Sequence, residues 1–590
     1  MNNWIFPFHL VKQGADIILY GAGNVGLCFY KQLITTKYAS VVAWVDRNWQ
    51  KYKRLDMPVE AVEKIREFEE YDYVVIAIES KSIADEICKM LMENGIEEDK
   101  IIHSEYHFPD TGLYKDFKQE IKECDLTEQL TQISPHKLLK ANRLDLAVRY
   151  LVAKDILHGR ENERNLSLYT RMILARADAY EGMDYFSEYA REGTQEYLNA
   201  MRGLCNSMRE NGFDREKFVP IGNNGILLNG AHRVSVALAL EEDIWVKRYN
   251  GQTGNENYGM EWFEENGFNI EDKIRILRAF ADLYGNCGIL LLFGPCIEQW
   301  GYLEAQLEKQ MTVVGTVELD FSDNYIAFEN LLREIYSDPL WRNVYIDRKT
   351  ELLKMAPLKI KILLVSDEGY KNNDLYQVIA ATKLELRDRM YFDTDIAPVV
   401  IHGSNSKEEF EHLRAVLLSV NNLRYQKMRI ARNYSEEIVK RIDRMHYMLT
   451  EKGISINDVC ISGSSGFEIF GLRKAADLDF FVKGEYRNAF GEVTVSWSDD
   501  IEYVRKNSIS VSDDDMYEDD LLIEDDNYHY VFYGCKFVNL DIIAQKKKYN
   551  HREKDMRDVR LYQLFKDYVS NFDDKEVLKK QIEKEFYKKR

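Results

Sequence analysis

Short apolar runs of strand length alternate with amphipathic stretches along most of this chain. Asp16-Ile17-Ile18-Leu19-Tyr20 runs into Gly21-Ala22-Gly23-Asn24-Val25-Gly26. Val41-Val42-Ala43-Trp44-Val45 then ends in Asp46, and Tyr73–Ile78 gives a third apolar run. Strands alternating with helices predict a parallel sheet over residues 1–110. Gly21 suits a tight turn, Gly23 lets backbone approach a pyrophosphate, and Gly26 lets a helix pack closely. Asp46 lies at the distance where an acid accepts a hydrogen bond from a ribose hydroxyl.

Residues 111–215 mix three- and four-residue apolar spacing, which predicts helices. Gly225-Ile226-Leu227-Leu228 reads as a strand entering the Asn229-Gly230 turn, with a helix over 231–240 and a strand at Ile244–Lys247. His232 and Arg233 fall in that helix's first turn, where the dipole and free N–H groups favour an anion. A guanidinium there suits bidentate phosphate binding. Residues 257–435 read as an α/β unit with strands at Ile289–Phe293, Met311–Val314, Ile360–Val365 and Pro398–Ile401. The loop His402-Gly403-Ser404-Asn405-Ser406 follows, with Ser406 as a helix cap and Glu409 completing a capping box. Its position after a strand also makes His402 part of a phosphate or sugar site by the crevice rule of α/β sheets. Ile438, Ile442, Met445 and Leu449 share one face of a helix over 435–451.

The C-terminal part, 436–590, carries the strongest chemistry. Gly463-Ser464 is followed at helix-length distance by Asp477-Leu478-Asp479 on an apolar run. Alternation along a strand sends Asp477 and Asp479 to one face. Parallel carboxylates repel unless a cation lies between them, and Mg²⁺ takes oxygen ligands from one or two carboxylates plus substrate phosphates. Asp541, within Phe537-Val538-Asn539-Leu540-Asp541-Ile542-Ile543, is predicted on a neighbouring strand as the third carboxylate.

Composition narrows the possibilities. The 590 residues exceed one core, so several domains are expected, bounded near 110, 256 and 435. A formal charge of −20 argues against long nucleic acid as a partner. Part of that charge is an acidic stretch at 513–526, read as a solvated loop. The basic run Lys546-Lys547-Lys548, with Arg552, Lys554, Arg557 and Arg560, suits a triphosphate or an exposed helix face. The eight cysteines show no Cys-x-x-Cys spacing, so no zinc or disulfide framework is implied. No apolar run reaches the roughly 20 residues of a membrane span. No signal peptide is evident, and a cytoplasmic protein is expected.

Gly463-Ser464 with Asp477-x-Asp479 and a later Asp resembles the nucleotidyltransferase superfamily of the polymerase-β type. The Gly-x-x-x-x-Gly-Leu-Arg stretch before the acids is also similar to LicD-like phosphotransferases. The resemblance implies that Gly463 and Ser464 hold nucleotide phosphate and that Arg473 contacts it. It implies further that Asp477, Asp479 and Asp541 bind Mg²⁺ or Mn²⁺ for transfer from a nucleoside triphosphate. Residues 1–110 resemble the Rossmann modules of bacterial polysaccharide-modifying proteins, which implies NAD or a nucleotide-sugar at Gly21, Gly23, Gly26 and Asp46. No Tyr-x-x-x-Lys pair for hydride transfer follows. Asn229-Gly230-Ala231-His232-Arg233 resembles the phosphate motif of the ParB/sulfiredoxin-like fold.

The expected fold is α/β multidomain: an N-terminal Rossmann-like parallel sheet, central α/β domains and a C-terminal α+β nucleotidyltransferase fold. The expected activity is nucleotide transfer to a small-molecule or glycan acceptor in surface-polysaccharide biosynthesis. Three other readings stand beside it: a LicD-like phosphotransferase, a ParB-fold kinase using ATP, and a non-catalytic nucleotide-binding scaffold.

Overall fold

The computed structural model describes residues 4–53, 57–68, 70–103, 130–160, 162–175, 194–249, 253–254, 257–337, 346–370, 374–389, 397–429, 436–490, 495–505, 508–513 and 515–570. The chain is mixed α/β and divides into two compact units, Met1–Tyr258 and Gly259–Arg590.

The first unit opens with five strands: β1 (Asp16–Tyr20), β2 (Ser40–Val45), β3 (Val59–Glu60), β4 (Tyr73–Ile76) and β5 (Ile101–His103). They pair in the order β3-β2-β1-β4-β5, all parallel. Parallel strands need crossover connections, and the helices Asn24–Thr36 and Lys81–Glu93 supply two of them. The sheet interior is continuously apolar, with Ile17, Ile18 and Leu19 fully buried.

A second sheet in this unit joins β6 (Thr131–Ile133), β7 (Val219–Gly222) and β8 (Ile244–Tyr249) in the order β6-β8-β7. The expected strand at Gly225–Leu228 lies earlier, at β7, and Leu227 only bridges back to Ile221. Gly225, at φ +73°, turns the chain between them. Of the stretch read as helical, 111–129, 161 and 176–193 lie outside the described residues. The rest holds the helices Asp145–Leu157, Glu163–Ala175 and Thr194–Asn211, but also the strand β6, which the helical reading did not expect.

The second unit holds two larger sheets. In the first, β9 (Cys287–Phe293), β10 (Thr312–Asp320), β11 (Lys359–Ser366) and β12 (Ile401–Gly403) run antiparallel in the order β10-β11-β9-β12. All of Cys287–Phe293 is buried, as its unbroken apolar run requires. The strand expected over Pro398–Ile401 instead begins at Ile401, and Ala397–Val400 forms a single helical turn.

The remaining strands are β13 (Val459–Ser462), β14 (Leu478–Val482), β15 (Val495–Ser498), β16 (Ile501–Tyr503), β17 (Ser508–Ser510), β18 (Met516–Glu518), β19 (His529–Phe532) and β20 (Cys535–Val538). Six of them form a sheet in the order β15-β16-β14-β13-β20-β19, and β17 pairs with β18. The helix Glu436–Glu451 buries Ile438, Ile442, Met445 and Leu449 in the same core as this sheet.

The acidic stretch is solvated in part, with Asp513, Asp515, Glu518 and Glu524 exposed, but it is not all loop. Asp519–Glu524 is a short helix, and Asp519 is buried, with an Arg487 guanidinium nitrogen 3.5 Å away. Asp514 lies outside the described residues.

Helix Asn24–Thr36 meets β1 at almost no distance. A Cβ on Gly26 would sit 2.0 Å from the Gly21 carbonyl oxygen, which is backbone and cannot rotate away. Gly26→Ala therefore is expected to lower the stability of the first unit by about 3 kcal/mol. Thermal unfolding followed by circular dichroism checks this; an unchanged melting temperature would refute the packing argument.

Candidate functional site

β14 lies between β13 and β16 in the six-stranded sheet. It runs antiparallel to β13, with Ser462 paired to Asp479, whereas β20 runs parallel to β13. The carboxyl ends of β13 and β20 and the start of β14 therefore share one end of the sheet. That end carries the Gly463-Ser464 turn, Asp477 and Asp479, and the residues after Val538.

Leu478 and Phe480 are fully buried and Asp479 between them is only partly so, as strand alternation expects. Asp477, also partly buried, lies in a bend just before β14, where alternation does not set its side. Gly463 has φ +74°, and a Cβ there would lie 2.3 Å from Asp479 Oδ2. The Asp479 carboxylate thus rests directly on the glycine of the turn. Ser465, buried at the start of the helix Ser465–Ile469, donates its hydroxyl to the Asp477 carbonyl at 3.0 Å. Glu468, also buried, accepts from the Ala475 N–H at 2.8 Å. Ser464 is partly exposed and makes no side-chain cap to that helix.

Asp541 is not on a strand. β20 ends at Val538, and Asp541 is the second residue of the helix Leu540–Asn550. Its carboxylate takes Lys566 Nζ at 3.1 Å. Burial, and with it the negative charge of the nearby Asp541 carboxylate, holds the phenols of Tyr425 and Tyr562 protonated well above the usual tyrosine range. Asp541 shares the sheet end with the other two acids but sits beyond β20, on the far side of β13 from β14. Among the described residues no three His, Cys, Asp or Glu side chains are grouped to hold a metal.

One acid that sequence reasoning missed stands closer by register. Glu502 on β16 pairs with Asp479 across parallel strands and so faces the same side of the sheet. Its signal was weak: one acid between buried Ile501 and Tyr503 in a three-residue strand.

Arg473 does not face this turn. It forms a two-pronged pair with Asp558 at 2.6 and 2.7 Å, joined by Lys547 at 2.8 Å. Lys547 and Arg552 also reach buried Asp555. These cations tie the helices Leu540–Asn550 and Glu553–Ser570 to the Arg473 loop.

In the first unit, Gly21 has φ +104° and its carbonyl accepts from Trp44 Nε1 at 2.8 Å. A Cβ on Gly23 would meet open space, which leaves that backbone approachable. Asp46 already serves the backbone: Oδ2 accepts from the Ala22 N–H at 2.8 Å and Oδ1 from the Asn48 N–H at 2.6 Å.

His232 and Arg233 open the helix Ala231–Leu240, after Gly230 at φ +95°. Arg233 Nη1 donates to the Phe218 carbonyl at 2.7 Å and also to that of Lys217. His232 Nε2 lies 2.8 Å from the Tyr169 hydroxyl. Both side chains knit the helix to its neighbours.

A family model described as C2185-like, N-terminal, matches residues 14–102, which is the five-stranded parallel sheet and its helices. No curated protein and no solved structure matches the chain. Among the described residues no helix is long and apolar enough to cross a membrane, and the cysteines are free thiols.

Two outcomes follow from the contacts around the turn. Gly463→Ala forces its new Cβ against Asp479 and holds a left-handed backbone, costing about 2 kcal/mol. In an Asp479→Ala background the same change is expected to cost about 1 kcal/mol less, as a double-mutant cycle by urea unfolding would read. The Asp558 carboxyl is raised by burial, but the bonds from Arg473 and Lys547 outweigh this and hold it below its usual range. A depressed folded pKa stabilises above the unfolded value and loses that stability as pH falls through the folded one. Asp558→Asn is therefore expected to cost about 3 kcal/mol at neutral pH, with the gap to wild type closing below about pH 4.

Proposed function

We propose that the C-terminal part of the second unit is a metal-dependent nucleotidyltransferase acting on a small-molecule or glycan acceptor. The observation that carries this reading is the Asp479 carboxylate seated on Gly463, with Asp477 in the bend that leads into the same strand. A positive-φ glycine turn beside paired acids at a sheet end is the arrangement that lets a nucleotide phosphate and a divalent cation meet.

The donor set is all oxygen, which suits Mg²⁺ or Mn²⁺ with substrate phosphates and water completing the shell. Asp477 and Asp479 would hold the ion, and Glu502, on the same sheet face as Asp479 by register, replaces Asp541 as our choice of a further acid, one that is not a metal ligand. When bound, the metal supplies charge neutralisation at the phosphoryl oxygens. The protein's own part is to fix the acids: Ser465 holds the Asp477 backbone, and the Ser462–Asp479 pairing sets the height of the second carboxylate. That further acid, Glu502, would accept the proton of the attacking hydroxyl as its oxygen bonds to the α-phosphorus. The opposite bond, to pyrophosphate, would break in line, the pyrophosphate leaving with the electron pair.

The parallel order β3-β2-β1-β4-β5, the open approach at Gly23 and the helix Asn24–Thr36 support a Rossmann-like module that takes NAD or a nucleotide-sugar. This fits an acceptor from surface-polysaccharide biosynthesis in the cytoplasm.

With magnesium and labelled nucleoside triphosphates, Asp479→Asn and Glu502→Gln are each expected to lower turnover at least about a hundredfold while leaving the fold intact. Asp541→Asn is expected to lower it less than about tenfold. Equal losses at Asp541 and Glu502 would restore the Asp541 assignment. Full activity in folded Asp477→Asn/Asp479→Asn would remove the transferase reading altogether.

A further inference from the structure

The sheet β10-β11-β9-β12 carries a buried cluster of basic side chains at its β12 edge. His402, on β12, is 9% exposed. Lys349 comes from the helix Ile346–Leu353, and Lys383 and Arg387 lie one turn apart on the helix Leu375–Arg389. Lys349 and Lys383 are 9% and 8% exposed.

Their partners are few and mostly neutral. Lys349 Nζ lies 4.0 Å from the centroid of the Tyr336 ring and 4.9 Å from that of Phe293, and donates to the Tyr336 hydroxyl. Lys383 donates to Asn405 Oδ1 at 2.6 Å, and Arg387 Nη2 to the Ile401 carbonyl at 2.5 Å. The Tyr336 ring meets His402 edge-on at 4.7 Å between centroids. Among the described residues Glu409 is the acid here, and its Oε2 is engaged by the Asn405 N–H and side-chain amide at 2.7 and 2.9 Å. Its Oε1 stands 3.4 Å from His402 Nε2, without forming a hydrogen bond. Arg387 Nε is likewise buried without a hydrogen-bond partner.

Among the described residues, three strong bases and a histidine thus lie near one carboxylate, and all four are buried or nearly so. Burial pushes the Lys349 and Lys383 ammonium groups down, and repulsion from their neighbours adds to it. Such an excess of buried cation is costly unless an anion enters or a proton leaves. A phosphoryl group fits better than a carboxylate. It brings up to two charges and several acceptor oxygens, matching a guanidinium, two ammonium groups and an imidazole aimed from three elements. Asn405, exposed at the loop after β12, marks the open side of the cluster.

We propose that Lys349, Lys383, Arg387 and His402 form a second binding site, for the phosphoryl group of a small phosphorylated ligand, separate from the Asp477–Asp479 carboxylates. Ionic phosphate, pyrophosphate, ATP and glucose 1-phosphate share the required chemistry, and parallel titrations separate them as sources.

The test uses the full chain in EDTA, so that no divalent cation loads the carboxylate site. Calorimetric titration and thermal unfolding are run with each of the four probes. At least one probe is expected to bind the wild type and raise its melting temperature. Arg387→Gln and Lys383→Met, each checked for folding by circular dichroism, are expected to weaken binding at least about tenfold. Asp479→Asn is expected to leave the affinity within about twofold. The proposal fails if no probe at about 10 mM shifts the wild type. It fails equally if the folded variants bind as the wild type does. Should Arg387→Gln not fold, Lys383→Met alone decides between these outcomes.

Discussion

The contact between the Asp479 carboxylate and the Gly463 Cα governs the proposed site. It exists because β14 returns antiparallel to β13 with Ser462 opposite Asp479, and because Gly463 takes a left-handed backbone that leaves no Cβ in the way. The segment between the two strands is then held by neutral and singly charged bonds to backbone. Ser465 anchors the Asp477 carbonyl, and buried Glu468 anchors the Ala475 N–H. The segment that carries the acids is thus positioned by chain geometry and backbone bonds.

That frame also explains where the neighbouring cations go. Arg473, Lys547 and Arg552 converge on Asp555 and Asp558, and Lys566 on Asp541. These bonds fasten the last two described helices of the unit to the loop that precedes β14. A basic run that reads as a phosphate-binding patch is here partly consumed as structural glue. Among the described residues, the bases that lack such acids are those around His402, where one carboxylate lies near four basic side chains.

Much of this architecture was legible in the chain, and the failures have a common cause. The runs Ile17–Tyr20, Ile289–Phe293 and Leu478–Val482 are long enough, and apolar enough, that only a buried strand accommodates them. Asp479 was readable because its alternation with buried Leu478 and Phe480 is itself a sequence pattern, whereas the strand expected to include Asp477 starts one residue after it. The run Leu540–Ile543 was not, since Leu540, Ile542, Ile543 and Ala544 suit a buried helix face as well as a strand. The same ambiguity moved the strand at Pro398–Ile401, where β-branched residues precede the strand as a helical turn. Lys349, Lys383 and Arg387 left no local trace. Each sits on an ordinary amphipathic helix, and only the packing of separate helices onto β12 brings them to His402.

The two units use one device at their glycine turns. In the first, Asp46 at the end of β2 accepts from the Ala22 N–H, and Trp44 donates to the Gly21 carbonyl, so the turn after β1 is fixed from the adjacent strand. In the second, Asp479 on β14 fixes the turn after β13 by contact. In both, a carboxylate from a neighbouring strand sets a loop that glycine alone would leave free. A turn ordered during folding has little conformational entropy left to lose when a ligand arrives. The same carboxylates are thereby partly committed before any ligand arrives. For Asp46, whose two oxygens each hold a backbone N–H, the remaining lone pairs set the limit on what a ribose could gain there. The Gly23 backbone, open on its outer side, is therefore the stronger determinant of binding in that domain.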